Sequence, residues 1–547
     1  MLTFHFLTVI AVTVLVSVVV MRRYSSGVRE GMLSAGQFDL VVAPPSPLQR
    51  TIPLTVVDID ARSPTSSAAR AAERREAAAR RRIVVAYLLS TGICGLIVST
   101  VTLWTADVEM TSSRLVALTG AIMGAAVPMI AVSVAWPFWR ALLTWVALEL
   151  AVALLSVAIP MASRLLQGSE FDPTLAMNAV YLLQWIAITL TFPFALAFAT
   201  GIRKLRGVAP VSLALVSVLG LVPLFGAKVA DRLASGENIV FQAYGVTMAM
   251  YASFFILAPA AGWVAWRVLK SLSNAYDAKR FSDAQLIANV WWLIFVATLV
   301  APLPLDQGES IGVLLLAGAA SFALFPILTG ALLRSGTPGG AIEPRPTLLL
   351  LRLFGHTARS ERFFDRVVGR WRLIGPVTAI AAPDIVARTF DPADFLRFVT
   401  GRASQAFIES QQQLEQRLSS LDVRADPDGR YRVSKFWCRR NSWQATVTAL
   451  MSRSDAIVVD VRGLSADREG VRFELEQLAG RVTADRVVLV IDEKTDRAVV
   501  ERSVAAGTGT LRLVRVERNS ASETRRVFEA LLDAADHSPE VTGMNAR

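Results

Sequence analysis

The chain has 547 residues, 53% of them hydrophobic, with a mean hydropathy of +0.46 and a formal net charge of +11. That length accommodates more than one domain. Two cysteines, Cys94 and Cys438, and three scattered histidines, His5, His356 and His537, exclude a disulfide framework and suggest no metal-ligand set. Charge is unevenly spread: residues 1–344 carry 24 Lys/Arg and 18 Asp/Glu, whereas the shorter 345–547 carries 32 and 27. The basic excess does not indicate nucleic acid. No basic stripe interleaved with aromatics occurs, and the bases of the first part lie between apolar runs, where they orient helices in a bilayer.

A bilayer-crossing helix needs about 20 apolar residues. Nine runs qualify: 2–21, 83–104, 115–136, 141–160, 176–200, 211–227, 239–266, 289–305 and 311–333. The first lacks a basic leader and a small-residue cleavage site, and Arg22-Arg23 follow it directly, so it reads as a retained anchor with its N-terminus outside. The following loops then alternate. Inner loops hold Arg140, then Arg203, Lys204 and Arg206, then Arg267, Lys270, Lys279 and Arg280, then Arg334. Each outer loop holds two acids: Asp107 and Glu109, Glu170 and Asp172, Asp231 and Glu237, Asp306 and Glu309. The expected product is a polytopic α-helical membrane bundle of about nine spans in the cell membrane, with the C-terminal part cytoplasmic.

Residues 22–82 form a basic cytoplasmic segment. "VVAPPSPLQR" and "ARSPTSSAAR" read as loop, and "AARAAERREAAARRR" as a solvated helix whose bases meet anionic headgroups. One carboxylate, Glu149, lies inside an expected span. An intramembrane carboxylate is a functional candidate by default. The plainer alternative is a carboxyl held protonated, or paired with Gln184 or Asn178. With no second ionisable partner at depth and no inverted repeat, an anchor or sensor is favoured over a transporter.

The linker 335–346, "SGTPGGAIEPRP", is punctuated by Pro and Gly and ends the bundle. From 347 to 538 short apolar runs alternate with amphipathic stretches, and 539–547 is a tail. Strands are expected at "TLLLLRLF" (347–354), "GPVTAIA" (375–381), "DAIVVDV" (455–461), "RVVLVID" (486–492) and "LRLVRV" (511–516). Helices are expected between and after them. The long stretch 383–440 reads as a Gln-rich helix, "SQAFIESQQQLEQRLSSL", and a turn-strand piece, "DPDGRYRVSKFWC". The fold class is therefore an α/β domain with a five-stranded, mainly parallel, flavodoxin-like sheet carrying helices on both faces. Ligands of such sheets bind beyond the carboxyl ends of the strands.

The unit "DAIVVDVRGLSADREGVRFELEQL" supplies the sharpest candidate. At 100° per residue, Val471, Leu475, Leu478 and Val482 share the face turned to the sheet, while Glu469 and Glu476 turn to water. Glu474 lies about 60° from Val471, on the edge of the apolar stripe and near the carboxyl end of the strand. It is either a partly desolvated carboxylate facing the ligand crevice or a boundary glutamate placed by the helix-start dipole.

At this point the chain resembles TIR-type domains and the similar nucleoside 2-deoxyribosyltransferase fold. The residues that carry the resemblance are "SDAIVVDVRG" (454–463) and "GVRFEL" (470–475) within the alternating order of strands and helices. It covers about the last 200 residues and none of the membrane part. The resemblance implies that Glu474 is the catalytic carboxylate of an N-glycosidic cleavage, stabilising oxocarbenium character at a ribose carbon. It implies NAD or a nucleoside as ligand or substrate and no resident cofactor or metal. Gly355, His356 and Arg359 would line the pocket after the first strand, with Asp460, Arg462 and Gly470 bordering it. The plainer alternatives are a strand-end salt bridge for Asp460 and Arg462 and surface positions for His356 and Arg359. The chain departs from these families in the length of 383–440, a stretch long enough to cover or remodel the pocket, and in lacking a Trp-Cys pair before Glu474; its only Trp-Cys is Trp437-Cys438.

The expected partners are the lipid bilayer, a small nucleotide and a second copy of the cytoplasmic domain. The expected function is a membrane-tethered signalling or effector N-glycosidase. The alternatives are a non-catalytic sensor or relay and a transporter with a regulatory domain.

Overall fold

A computed structural model describes residues 2–34, 53–59, 67–105, 110–134, 136, 138–166, 208, 211–212, 239–300, 308–335, 345–352, 358–381, 391–464 and 469–536. The chain divides into two compact units. One comprises 1–24, 80–336 and 389–401; the other comprises 25–79, 337–388 and 402–547.

The first unit is helical. Its described helices are α1 (Leu2–Leu33), α2 (Ser67–Thr105), α3 (Ser112–Ala125), α4 (Val127–Ser133), α5 (Phe138–Leu166), α6 (Ile239–Asp277), α7 (Asp283–Val300) and α8 (Gly308–Ser335). Both α1 and α2 contribute residues to each unit. Seven of the nine expected spans fall on these helices, while 176–200 and nearly all of 211–227 lie outside the described residues. Among the described residues the count of membrane-length spans is three rather than nine: Arg70–Thr105, Arg114–Ser133 and Leu316–Ser335. That count covers the described residues alone, whereas the hydropathy runs are read along the whole sequence. Shorter apolar stretches lie in α5 (Trp139–Leu148) and α7 (Asp283–Val296). Packing inside the unit is aromatic: Trp292 stacks on Phe325 at 5.0 Å, and Trp291 on Phe295 at 5.7 Å. Glu149 falls within α5, and its side chain is outside the described residues.

The second unit is built on a fully parallel sheet. Its strands are β1 (Leu54–Ile59), β2 (Leu348–Arg352), β3 (Val377–Ala381), β4 (Phe407–Ile408), β5 (Val433–Cys438), β6 (Ala456–Asp460), β7 (Val487–Ile491) and β8 (Gly509–Arg515). They lie in the order β1-β8-β7-β6-β2-β3-β5-β4. The expected five strands are all present, but the sheet has eight. The five make the run β3-β2-β6-β7-β8, which is the strand order of a flavodoxin-like sheet. The additions come at the two edges. On one side β1, drawn from the segment expected to be loop and solvated helix, pairs with β8 from Leu54↔Gly509 to Ile59↔Val514. On the other side the stretch 402–440 supplies β5 and β4 beside β3. The expected Gln-rich helix is accordingly shorter, since Phe407 and Ile408 are strand and only Gln411–Ser419 (α11) is helical. The insertion thus lengthens the sheet, while its residues 389–401, including the short helix α10 (Pro392–Val399), belong to the first unit.

The remaining helices are α9 (Ala358–Trp371), α12 (Trp443–Arg453), α13 (Glu469–Arg481), α14 (Arg497–Val504) and α15 (Ala521–Asp536). Strand residues alternate between two cores, as a doubly covered sheet requires. Leu349, Leu351, Ile457, Val459 and Leu489 face α11–α14. Leu348, Val458, Val488, Val490 and Val514 face α9 and α15. Ala72 of α2 enters this second core, and Glu73 and Glu76 of the same turn pair with Arg525 at 3.1 Å and Arg370 at 3.7 Å. The basic helix before residue 80 is therefore packed on the α/β unit, not merely solvated. The end of α1 is held too: Arg439 donates to the Gly31 carbonyl at 2.7 Å, and Phe407 lies against Gly31. At the start of β2, Thr347 N–H and Oγ1 donate to Asp455 Oδ2 at 2.8 and 2.9 Å. Gly375 sits where a Cβ would collide with the Pro346 carbonyl oxygen, so the approach to β3 demands glycine.

Candidate functional site

In this topology the switch point lies between the carboxyl ends of β2 and β6, because the chain leaves β2 toward β3 and later returns to the other side with β6. The loop after β2 contains Gly355 and His356, and both lie outside the described residues. Arg359 is in the first turn of α9, and its side chain is likewise outside them. Gly470 is in the first turn of α13. The structure does describe Asp460, Arg462 and Glu474.

Strand β6 is buried along its whole length, so the carboxylate at its end, Asp460, is carried inside. Two residues on, Arg462 folds back on it. Its Nε donates to Asp460 Oδ1 at 2.8 Å and its Nη2 to Oδ2 at 2.7 Å. Such a two-pronged ion pair matches the planar guanidinium to the carboxylate. Two further donors are engaged: Nη1 donates to Asn519 Oδ1 at 2.7 Å, and Nη2 reaches Ser360 Oγ at 3.4 Å. The guanidinium lies 4.7 Å over the Phe363 ring. Asp460 is 0% and Arg462 3% exposed. The strand-end salt bridge is thus the arrangement found, with both groups buried.

This cluster ties together three loops at one edge of the sheet. Asn519, before α15, adopts φ +54°, a left-handed conformation that asparagine tolerates, and Arg366 of α9 donates to its carbonyl. Gly463 takes φ +68° in the turn after β6 and donates its N–H to Asp492 Oδ1 at 2.9 Å. The same oxygen accepts from Lys494 N–H at 3.1 Å. Ser360, Phe363 and Asn519 were not among the expected site residues. The signal for Asn519 was an asparagine just before a helix, which marks a turn but not its partner. Replacing Arg462 with Met removes one side of a buried pair and strands Asp460. The expected cost is about 3–5 kcal/mol of unfolding free energy, read by chemical denaturation. The double replacement Asp460→Asn with Arg462→Met should recover much of it, and a single variant as stable as the parent would rule the cluster out as a structural lock.

Glu474 has a different environment. It lies in the second turn of α13, and Leu475, Leu478 and Val482 of that helix enter the core while Glu476 is exposed, as the helical projection requires. Glu474 itself is 3% exposed. Its Oε2 has no hydrogen-bond partner among the described residues. Burial pushes its pKa up to about 8, with no compensating charge. At neutral pH it is therefore mostly a neutral carboxylic acid. Its neighbour Phe473 meets Trp443, at the start of α12, edge-on with centroids 5.4 Å apart. In projection Glu474 falls between Phe473 and the sheet-facing Leu478, which turns it to the α12 side of α13. The other side of the helix is dry: Leu475, Ala479, Val504 and Leu54 line an apolar cavity of about 20 Å³, room for no more than a water.

Among the described residues no three His, Cys, Asp or Glu side chains gather as a metal set would. Comparison with protein-family models, curated proteins and solved structures finds no match to this chain.

Proposed function

We propose that this chain is a multi-pass membrane protein whose α/β unit lies at the cytoplasmic face and takes a ribosyl nucleotide of the NAD type at the carboxyl edge of its sheet, cleaving its N-glycosidic bond with Glu474. The observation that carries the reading is Glu474: a buried carboxyl with an oxygen that has no hydrogen-bond partner among the described residues, on the helix that follows the switch-point strand. Such a group is costly to keep in a fold unless it has a task. Two further points support the reading. Strand β1, from the segment after the first apolar run, lies in the same sheet as the C-terminal strands, which supports placing both on one side of a bilayer. That agrees with the inward bias of Lys and Arg. The sheet also carries the flavodoxin-like order expected of a TIR-like domain.

A ligand bearing a positive pyridinium would favour ionisation of Glu474, because a nearby cation stabilises the carboxylate. The carboxylate then faces the oxocarbenium character that develops as the ribose C–N bond breaks. In the free protein the carboxyl holds its proton up to about pH 8, so kcat/KM should rise with pH through that region. The test is nicotinamide release by the full chain in lipid nanodiscs supplied with NAD. Glu474→Gln is expected to lower the rate by at least about 100-fold. Turnover that survives the substitution, or a wild-type protein with no turnover, refutes the catalytic assignment.

A second reading, a ligand-binding relay without turnover, is favoured by the self-contained Asp460–Arg462 pair, which leaves neither side chain free for a substrate. Calorimetric binding of NAD without nicotinamide release would select it.

A further inference from the structure

Helix α6 has an exposed face whose chemistry changes abruptly along its length. Phe255 and Ile256 are each 71% exposed, and Trp263, Val264 and Val268 continue the bare apolar surface. The bases then begin. Arg267 lies 5.0 Å over the Trp263 ring and Lys270 lies 5.4 Å over Trp266, two cation–aromatic pairs at i, i+4 spacing. Both bases are exposed, and no acidic residue occurs between Ile239 and Tyr276. Neither base forms an ion pair among the described residues. A second pair of the same kind stands at the start of α5, where Arg140 lies 5.5 Å over Trp136.

We propose that Trp263, Trp266, Arg267 and Lys270 form a binding site for the headgroup of an anionic phospholipid. The inference rests on the membrane placement given above. Each part of the ligand has its counterpart. The acyl chains cover the exposed Ile256 and Val264. The indole rings lie at the depth of the glycerol and headgroup region, where such amphipathic rings are favoured. The phosphodiester meets two cations three residues apart on one helical face and without counter-ions. The rings hold those cations in place, so less side-chain freedom is lost when the phosphate arrives. A zwitterionic headgroup brings its own cation to the site and gains less.

The experiment uses the full chain extracted from vesicles of phosphatidylcholine and phosphatidylglycerol, with retained lipids counted by native mass spectrometry. Wild type is expected to retain phosphatidylglycerol over phosphatidylcholine by roughly tenfold, since each base near a headgroup contributes several-fold. The preference should fall to near unity in Arg267→Gln/Lys270→Gln and survive in Arg267→Lys, with inorganic phosphate failing to displace the lipid. Equal retention of the two lipids by wild type, an undiminished preference in the double variant, or displacement by phosphate overturns the site. A protein that does not enter the vesicles at all overturns the membrane placement itself, a separate and recognisable outcome.

Discussion

A fragment beginning at residue 340 is expected to aggregate or to lack a cooperative melt, although it contains every strand read from the C-terminal sequence. It lacks β1, which pairs with β8 over six residue positions. Without it the buried strand β8 becomes a bare edge, and an unprotected apolar edge invites pairing between chains. The fragment also lacks Leu54 and Val56 on one core, Ile59 and Ala72 on the other, and Glu73 and Glu76, which pair with Arg525 and Arg370. Backbone hydrogen bonds contribute about 0.5–1.5 kcal/mol each. Losing those of β1 together with the apolar burial approaches the whole stability of a typical domain, about 5–15 kcal/mol. Joining residues 25–79 to the fragment through a flexible linker should restore a monomer with a single thermal transition. Size-exclusion chromatography and circular dichroism decide the matter: a monomeric 340–547 that melts as sharply as the linked form would show that β1 is dispensable.

The second large effect is the pH dependence that Glu474 imposes. Its carboxyl titrates near 4.5 when unfolded and is pushed up to about 8 by burial in the folded chain. Between those values the folded state holds a proton that the unfolded state has lost. Stability contributed by this group is therefore fully present below about pH 4.5 and is lost as pH rises toward 8, by up to about 1.4 kcal/mol per pH unit. Glu474→Gln and Glu474→Leu remove the titration, so their denaturation midpoints should fall less from pH 5 to pH 8 than those of the parent. Glu474→Leu should also be the more stable protein at pH 8, because an apolar side chain in a dry site carries no desolvation cost. Parallel pH profiles for the parent and both variants would show that Glu474 is hydrated or paired. Stability gained together with turnover lost is the pattern expected where a group is kept for chemistry.

The five central strands were legible because each is a compact apolar run bounded by turns, and the two-sided burial of a parallel sheet makes such runs nearly continuous. β1 was not. "LTVVDI" lies among Pro- and Ser-rich stretches, and as an edge strand it alternates only partly between buried and open positions. β4 is two residues long, too short for any periodicity. β5 was visible as a turn-strand piece, but its place beside β3 depends on pairing Val377 with Val433, which no local pattern encodes. Glu474 could be singled out from its two neighbouring glutamates by helical angle alone, and the same angle leaves Glu476 in water. The depth of its burial was not visible, since that depends on the helices packed around α13. The partners of Arg462 were equally hidden. Asp460 is adjacent in sequence, but Ser360 and Asn519 arrive from distant loops.

The position of β1 also sets a schedule for biosynthesis. Its six residues are made near the beginning of the chain, while their partner strand β8 is made near the end. At roughly 5–20 residues per second, tens of seconds separate the two. Throughout that interval β1 has no mate. Completion of the sheet therefore reports that synthesis has reached the last strand, so a chain that stops early is left with an open edge that quality-control proteases and chaperones can detect.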